Sequence, residues 1–306
     1  MGGGNKISFQ MKIIRVFFPL FLFLTLQVSA QSSKNSANSE TISKIIKTPG
    51  LVALWDFKEK EGHERQAVGI GKFPLKEENG TLPRINEGPL SGYSAKFGNK
   101  AFLKLENEKT GALNIFGENQ GVTVIAWVKW EGNTGFVGGM WNEYQDGGKR
   151  QYGLFVSLPH YNGADRVCGH ISKTGKPTPP FPYSIDYSAS KQVVLKNEWQ
   201  CIAFTYDGKY IKSFLNGDFQ ESEPELINNT KGFEGYPDGL IQSKNPYYFP
   251  DGMGNNGSDF TVGAVLLKSG MGNFFTGLIG GLAVFDRALN TDEIENISLF
   301  KQNNQQ

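Results

Sequence analysis

Histidine and cysteine are scarce in this chain. Its 306 residues hold three His and two Cys. Two cysteines cannot build a multi-cysteine zinc site or staple a miniprotein. Three His, at positions 63, 160 and 170, exclude a His-rich metal cage. An excess of one charge is also missing, since 31 Lys and Arg face 30 Asp and Glu. Without a basic surplus to neutralise phosphates, no nucleic-acid partner is expected. Long apolar runs are absent too. Val16 to Leu26 spans eleven residues, too short to cross a bilayer, so no membrane span is expected.

What is present points to strands and turns. Aromatic residues number 23 Phe, 11 Tyr and 5 Trp, alongside 38 Gly and 14 Pro. This balance favours short strands over long helices. Hydrophobic residues make up 39% of the chain, which excludes wholesale disorder.

The N-terminus reads as an export signal over residues 1–30. Lys12 and Arg15 precede the apolar run, and Val28-Ser29-Ala30 offers a small-residue cleavage site. The expected product is secreted or periplasmic and begins at Gln31. Residues 31–48 read as a flexible leader, 49–300 as the ordered domain, and 301–306 as a polar tail.

Alternation marks the strands of the body. In Val122–Trp130, one face carries Val122, Val124, Ala126, Val128 and Trp130, and the other Ile125 and Trp127. Such a strand is covered on both sides. In Leu51–Phe57, alternation places Leu51, Ala53, Trp55 and Phe57 together, opposite Val52 and Leu54. Asp207-Gly208 sits between two apolar runs and predicts a hairpin. Trp199, at the start of the first run, is expected to anchor the core. One helix is expected at the end, capped by Asn290, with Glu293 completing a capping box. Its apolar face carries Ile294, Ile297 and Phe300. About ten strands and one terminal helix predict an all-β, two-sheet antiparallel sandwich.

Several of these segments are distinctive. They are LVALWDFKEKEG, GVTVIAWVKW, WQCIAFTYDGKYIKSFLNG and FFTGLIGGLAVFDRALNTDEI, in that order. Together they resemble the laminin-G-like jelly roll of the concanavalin A-like lectin/glucanase superfamily, over roughly Leu51 to Phe300. The resemblance implies a jelly-roll sandwich whose concave face binds or cleaves glycans. It also implies a role in bacterial polysaccharide binding or utilisation. Relatives usually carry acids where this chain has Gly280 and Gly281, and the chain is longer than a minimal module. The surplus lies in Asn142–Arg150, Pro159–Arg166, Thr174–Gln192 and Glu221–Asp259.

These insertions are where a site is expected, because loops carry sites more often than sheets do. Trp and Tyr pair an apolar body with a polar tip and suit sugar rings. The glycan-binding candidates are Trp141, Asn142, Tyr144, Tyr183, Tyr187, Tyr247 and Tyr248. For Trp141, core packing is the rival reading. Hydrolysis needs two facing carboxyl groups. Jelly-roll glucanases usually carry them as E-x-D-x-x-E, a string absent here, and Glu143, Asp146, Asp186, Asp251 and Asp259 remain as candidate acids with no paired spacing. Elimination from an acidic polysaccharide needs a base and a cation or amide for the uronate. The candidates for that lyase chemistry are His170, Arg150 and Tyr152, with a structural His170 as the rival.

No cofactor is required by either reading. Asp251, Asn255 and Asp259 lie in an oxygen-rich stretch that suits a structural Ca²⁺ or a Gly-rich turn. Cys168 and Cys201 either form a disulfide, which export permits, or sit apart as small hydrophobes. Three readings of function stand: a glycan-binding jelly roll, a lyase on the same fold, and a structural sandwich with a protein partner.

Overall fold

The computed structural model describes residues 1–3, 39–159, 162–179, 181–227 and 244–300. The expected signal and cleavage site, His160, the first part of the leader and the polar tail lie outside the described residues.

Helix α1 covers residues 39–47. The strands then run β1 (Leu51–Trp55), β2 (Val68–Gly69), β3 (Lys76–Glu78), β4 (Arg84–Ile85), β5 (Ser94–Phe97) and β6 (Phe102–Leu105). The longer ones follow: β7 (Val122–Trp130), β8 (Gly135–Met140), β9 (Tyr152–Leu158) and β10 (Gly163–Ile171). Next come β11 (Tyr187–Ala189), β12 (Trp199–Tyr206), β13 (Tyr210–Leu215), α2 (Pro224–Ile227) and β14 (Tyr247–Tyr248). The chain closes with β15 (Phe260–Val262), β16 (Val265–Leu267), β17 (Gly270–Gly272), β18 (Gly277–Phe285) and α3 (Thr291–Ser298).

Sixteen of these strands form an antiparallel two-sheet sandwich, and β16 and β17 make a separate two-stranded ribbon. The first sheet has nine strands, in the order β14-β13-β12-β7-β18-β1-β2, with β5 and β4 continuing from β18. The second has seven, in the order β11-β10-β9-β8-β15-β6-β3. The core between them takes Val124, Ala126 and Val128 from β7 and Tyr152, Leu154 and Val156 from β9. Trp55 of the first sheet stacks on Phe260 of the second, with ring centroids 5.3 Å apart.

The outer face of the first sheet is closed. Ile125 and Trp127 point there, as alternation in β7 requires, and pack with Ile45 of α1 and Ile294 and Ile297 of α3. Trp127 Nε1 donates to the Ser298 carbonyl at 2.8 Å. The capping box of Asn290 and Glu293 is present and starts α3. The stretch 39–47 thus differs from the flexible leader read over 31–48. Ile45 is fully buried and Ile42 packs beside it, so apolar burial holds a segment that composition reads as a linker.

Two further expectations change. A bulge between Leu51 and Ala53 shifts the register of β1 against β18. Leu51 therefore joins Leu54 on the outer face, and Val52 joins Ala53 and Trp55 in the core. Trp199 does not anchor the core. It is half-buried, and its Nε1 donates to Glu87 at 2.7 Å. Gly280 and Gly281 are glycines for a packing reason. A Cβ at Gly281 would collide with Leu90 and the Trp127 ring, and one at Gly280 with Pro89. The site therefore has to be sought on the outer face of the second sheet.

Candidate functional site

Strand alternation builds that outer face. In β9, Leu154 and Val156 enter the core, so Phe155 points outward. In β10, Val167 and Ile171 enter the core, so Cys168 and His170 point outward. The short strand β11 lies inside the Pro-rich insertion and pairs with β10, placing Tyr187 opposite His170. The two rings stack with centroids 4.6 Å apart. Trp141 follows β8 and meets His170 edge-on at 4.9 Å, and Phe155 meets it at 5.2 Å.

These rings line a cavity of about 290 Å³, together with half-buried Tyr183 and the carboxylate Glu143. Thr134, Ser184 and Asn273 add small polar groups to its wall. Glu143 Oε1 accepts from Trp141 Nε1 at 3.1 Å. Its Oε2 lies 3.7 Å from the Arg150 guanidinium. His170 is 4% exposed and its Nδ1 has no hydrogen-bond partner. Burial, then the positive charge of Arg150, holds its pKa well below the ordinary value. His170 is therefore a neutral imidazole at neutral pH.

A second, more open cavity of about 880 Å³ shares Glu143 with the first. Tyr144, Arg150, Pro177, Pro182 and Lys268 border it. Tyr144 is 52% exposed. Asn142 shapes the loop beneath it: Oδ1 accepts from the backbone N–H groups of Tyr144 and Gln145 at 3.1 and 3.0 Å. Its side chain serves the turn and lines neither cavity. Arg150 is buried, donates to the Gly175 carbonyl at 3.1 Å, and leaves its Nε unpaired. Burial lowers its pKa, opposed by Glu143.

The sequence candidates thus divide. Trp141, Tyr183, Tyr187 and His170 meet in one cavity, and Tyr144 and Arg150 border the next. Tyr152 belongs to neither. Its ring lies in the inter-sheet core and its hydroxyl donates to the Leu113 carbonyl at 2.7 Å. Residues directly opposite on neighbouring strands share a face, and His170 pairs with Gly153, so Tyr152 points the other way. Tyr247 is also packed in the core, where its hydroxyl donates to Asp186 at 3.0 Å. Tyr248 is exposed beside Tyr210, on the edge strand of the first sheet. Sequence reading weighed Glu143 only as one scattered acid, and the Trp141-Asn142-Glu143 run was its one signal.

The remaining candidates also separate. Cys168 and Cys201 are both free. Cys168 packs with Phe155 and Tyr187 outside the second sheet, and Cys201 packs with Trp127 outside the first. The whole sandwich separates them, so the disulfide is excluded. In the oxygen-rich stretch, Asp259 accepts from the Asn107 N–H and Asn255 from the Asn114 side chain, each at 2.9 Å, while Asp251 is exposed. Among the described residues, no group of three or more His, Cys, Asp and Glu could hold a metal ion. No helix among them is long and apolar enough to cross a membrane.

No family model matches the chain, and no curated protein matches its sequence. Solved structures do match. Domain 4 of AbnA, a GH43 extracellular arabinanase from Geobacillus stearothermophilus solved with arabinotriose, aligns at TM-score 0.50 and 15% identity. That alignment covers 81% of this chain and 98% of the domain. Trypanosoma rangeli sialidase in complex with sialic acid aligns at TM-score 0.48 and 13% identity, over 89% of this chain and 38% of the enzyme. The binding domain of Paraclostridial Mosquitocidal Protein 1 aligns at 0.45 and 13%, over 80% of this chain and 51% of that one. The chain therefore spans well under half of the sialidase. At 15% identity the likeness to the arabinanase domain is one of fold alone.

Proposed function

We propose that this chain is an exported glycan-binding domain, a laminin-G-like jelly roll in kind, whose ligand sits in the aromatic cavity beside Glu143. The observation that carries the reading is the convergence of Trp141, Tyr183 and Tyr187 with one anchored carboxylate. Trp141 and Tyr187, each 2% exposed, back the cavity, half-buried Tyr183 offers a face to the apolar side of a sugar ring, and the carboxylate accepts from its hydroxyls. A cavity of about 290 Å³ stands at the small end of the ligand-site range, roughly 300–1,000 Å³. The arabinanase domain solved with arabinotriose supports the reading as a sugar-bound case of the same fold.

Binding is better supported than elimination. Of the three residues assigned to lyase chemistry, only His170 reaches the aromatic cavity. Arg150 is tied to Gly175 and Glu143, and Tyr152 is in the core. Hydrolysis is less supported still, because Glu143 is the one carboxylate among the described residues lining the cavity.

The test is titration calorimetry of the protein against arabino-, xylo-, galacto- and gluco-oligosaccharides, with Tyr183→Ala in parallel. Saturable binding is expected for at least one series. Tyr183→Ala should weaken it about ten-fold, the scale of a truncated aromatic anchor. Affinity unchanged in Tyr183→Ala would move the site elsewhere. Release of shortened or unsaturated products during the titration would replace binding with catalysis.

A further inference from the structure

The charges around the aromatic cavity are lopsided. Glu143 is the single formal charge among the described residues that line it. No Lys or Arg among them reaches its wall. The one cation beside Glu143, Arg150, borders the neighbouring cavity instead: its side chain is 3% exposed, it donates to the Gly175 carbonyl, and its guanidinium lies 3.7 Å from Glu143 Oε2, so its charge is already engaged behind the wall. Trp141 holds Glu143 in place through Oε1, so the carboxylate cannot swing away from an incoming anion. His170 supplies no compensating charge, because burial keeps it neutral.

We infer, resting on the glycan-binding reading, that this cavity takes an uncharged sugar unit and discriminates against a carboxylated one such as a uronate. A neutral sugar offers hydroxyls that donate to Glu143 and a ring face that covers the half-buried Tyr183. A uronate brings a second carboxylate into a partly desolvated site with no unpaired cation among its described residues. Like charges at such separations repel strongly where water is excluded. Selection here works by repulsion as well as by fit.

The experiment uses pairs of oligosaccharides matched in stereochemistry and length, one neutral and one oxidised to the uronate at C6. Affinities of the full chain and of Glu143→Gln are measured by calorimetry at pH 7. In the wild-type protein the neutral member should bind at least ten-fold more tightly, about 1.4 kcal/mol. Glu143→Gln keeps an acceptor for Trp141 and removes the charge, and should close the gap to within about two-fold. Equal or tighter binding of the uronates by the wild type overturns this inference and leaves the glycan reading standing. A gap that survives intact in Glu143→Gln overturns it as well, by assigning the selection to shape. Absence of binding in both members of every pair removes the glycan reading, and this inference with it.

Discussion

Glu143 and Trp141 hold each other. The indole N–H donates to Oε1 at 3.1 Å, fixing both the ring that walls the aromatic cavity and the carboxylate that it shares with its neighbour. Trp141→Phe keeps an aromatic ring and deletes the donor. Hydrogen bonds to charged groups are worth about 1.5–3 kcal/mol. Glu143 is partly exposed, so water replaces part of the loss and the lower end is expected. Urea unfolding of Trp141→Phe reads that loss, while Glu143→Gln keeps the bond and removes the charge beside buried Arg150, so it reads the ion pair instead. A Trp141→Phe variant as stable as the wild type would show that the bond contributes nothing.

Tyr152 is a structural tyrosine. Its hydroxyl reaches the buried Leu113 carbonyl at 2.7 Å, and burial pushes its pKa far up. Tyr152→Phe leaves that carbonyl without its donor, which should cost about 1–3 kcal/mol in denaturant unfolding. Glycan affinity should not change. A variant of normal stability and altered affinity would place this side chain at the ligand after all.

The contrast between Tyr152 and His170 shows where sequence reading stops. Alternation within one strand was legible: both faces of β7 are populated as the pattern requires. So were local signals, namely the Asn290–Glu293 capping box and the Asp207-Gly208 hairpin, where Gly208 takes φ +92°. Each of these depends on neighbours in the chain. The site depends on register between strands, which the sequence does not write locally. A bulge between Gly163 and Val167 shifts β10 against β9 and sets which side chains share a face with His170. Strand β11 was hidden for a similar reason. Three residues inside a Pro-rich insertion carry no period of their own, and only pairing with β10 makes them a strand. The closed outer face of the first sheet was equally illegible, since Leu90 and Ile45 reach it from distant segments.

His170 makes stability sensitive to acid. In the fold its pKa lies well below the ordinary 6.5. The unfolded chain takes up a proton near pH 6.5 that the folded chain refuses. Stability is therefore highest above that pH and falls as pH drops through it. The slope for one proton is at most about 1.4 kcal/mol per pH unit. His170→Phe can fill the aromatic cluster and cannot titrate. Between pH 7 and pH 5 the wild type should lose more stability than this variant, with contributions from shared carboxylates cancelling in the difference. Parallel curves for the two proteins would mean that the imidazole is protonated in the fold.

On the glycan-binding proposal, Tyr144 extends the site beyond one sugar. Its cavity shares Glu143 with the aromatic one, and Pro177 and Pro182 also line it. The ring is more than half exposed, so its packing contributes little to the fold. Asn142 holds its loop through two backbone N–H groups, and the Tyr144 side chain is not needed for that. An exposed ring bordering an open cavity is a surface on which a second or third sugar unit can lie. An aromatic contact of this kind is worth about 0.5–1.5 kcal/mol. Tyr144→Ala should therefore lower trisaccharide affinity about three- to ten-fold. Monosaccharide affinity should stay as it is, because in the proposed site the first unit occupies the aromatic cavity beside Tyr183 and Glu143. Calorimetry with a mono- to tetrasaccharide series reads both quantities, and thermal melting should show little change. If Tyr144→Ala weakens all lengths equally, the two cavities form one subsite. If it weakens none, the chain leaves the aromatic cavity by another exit.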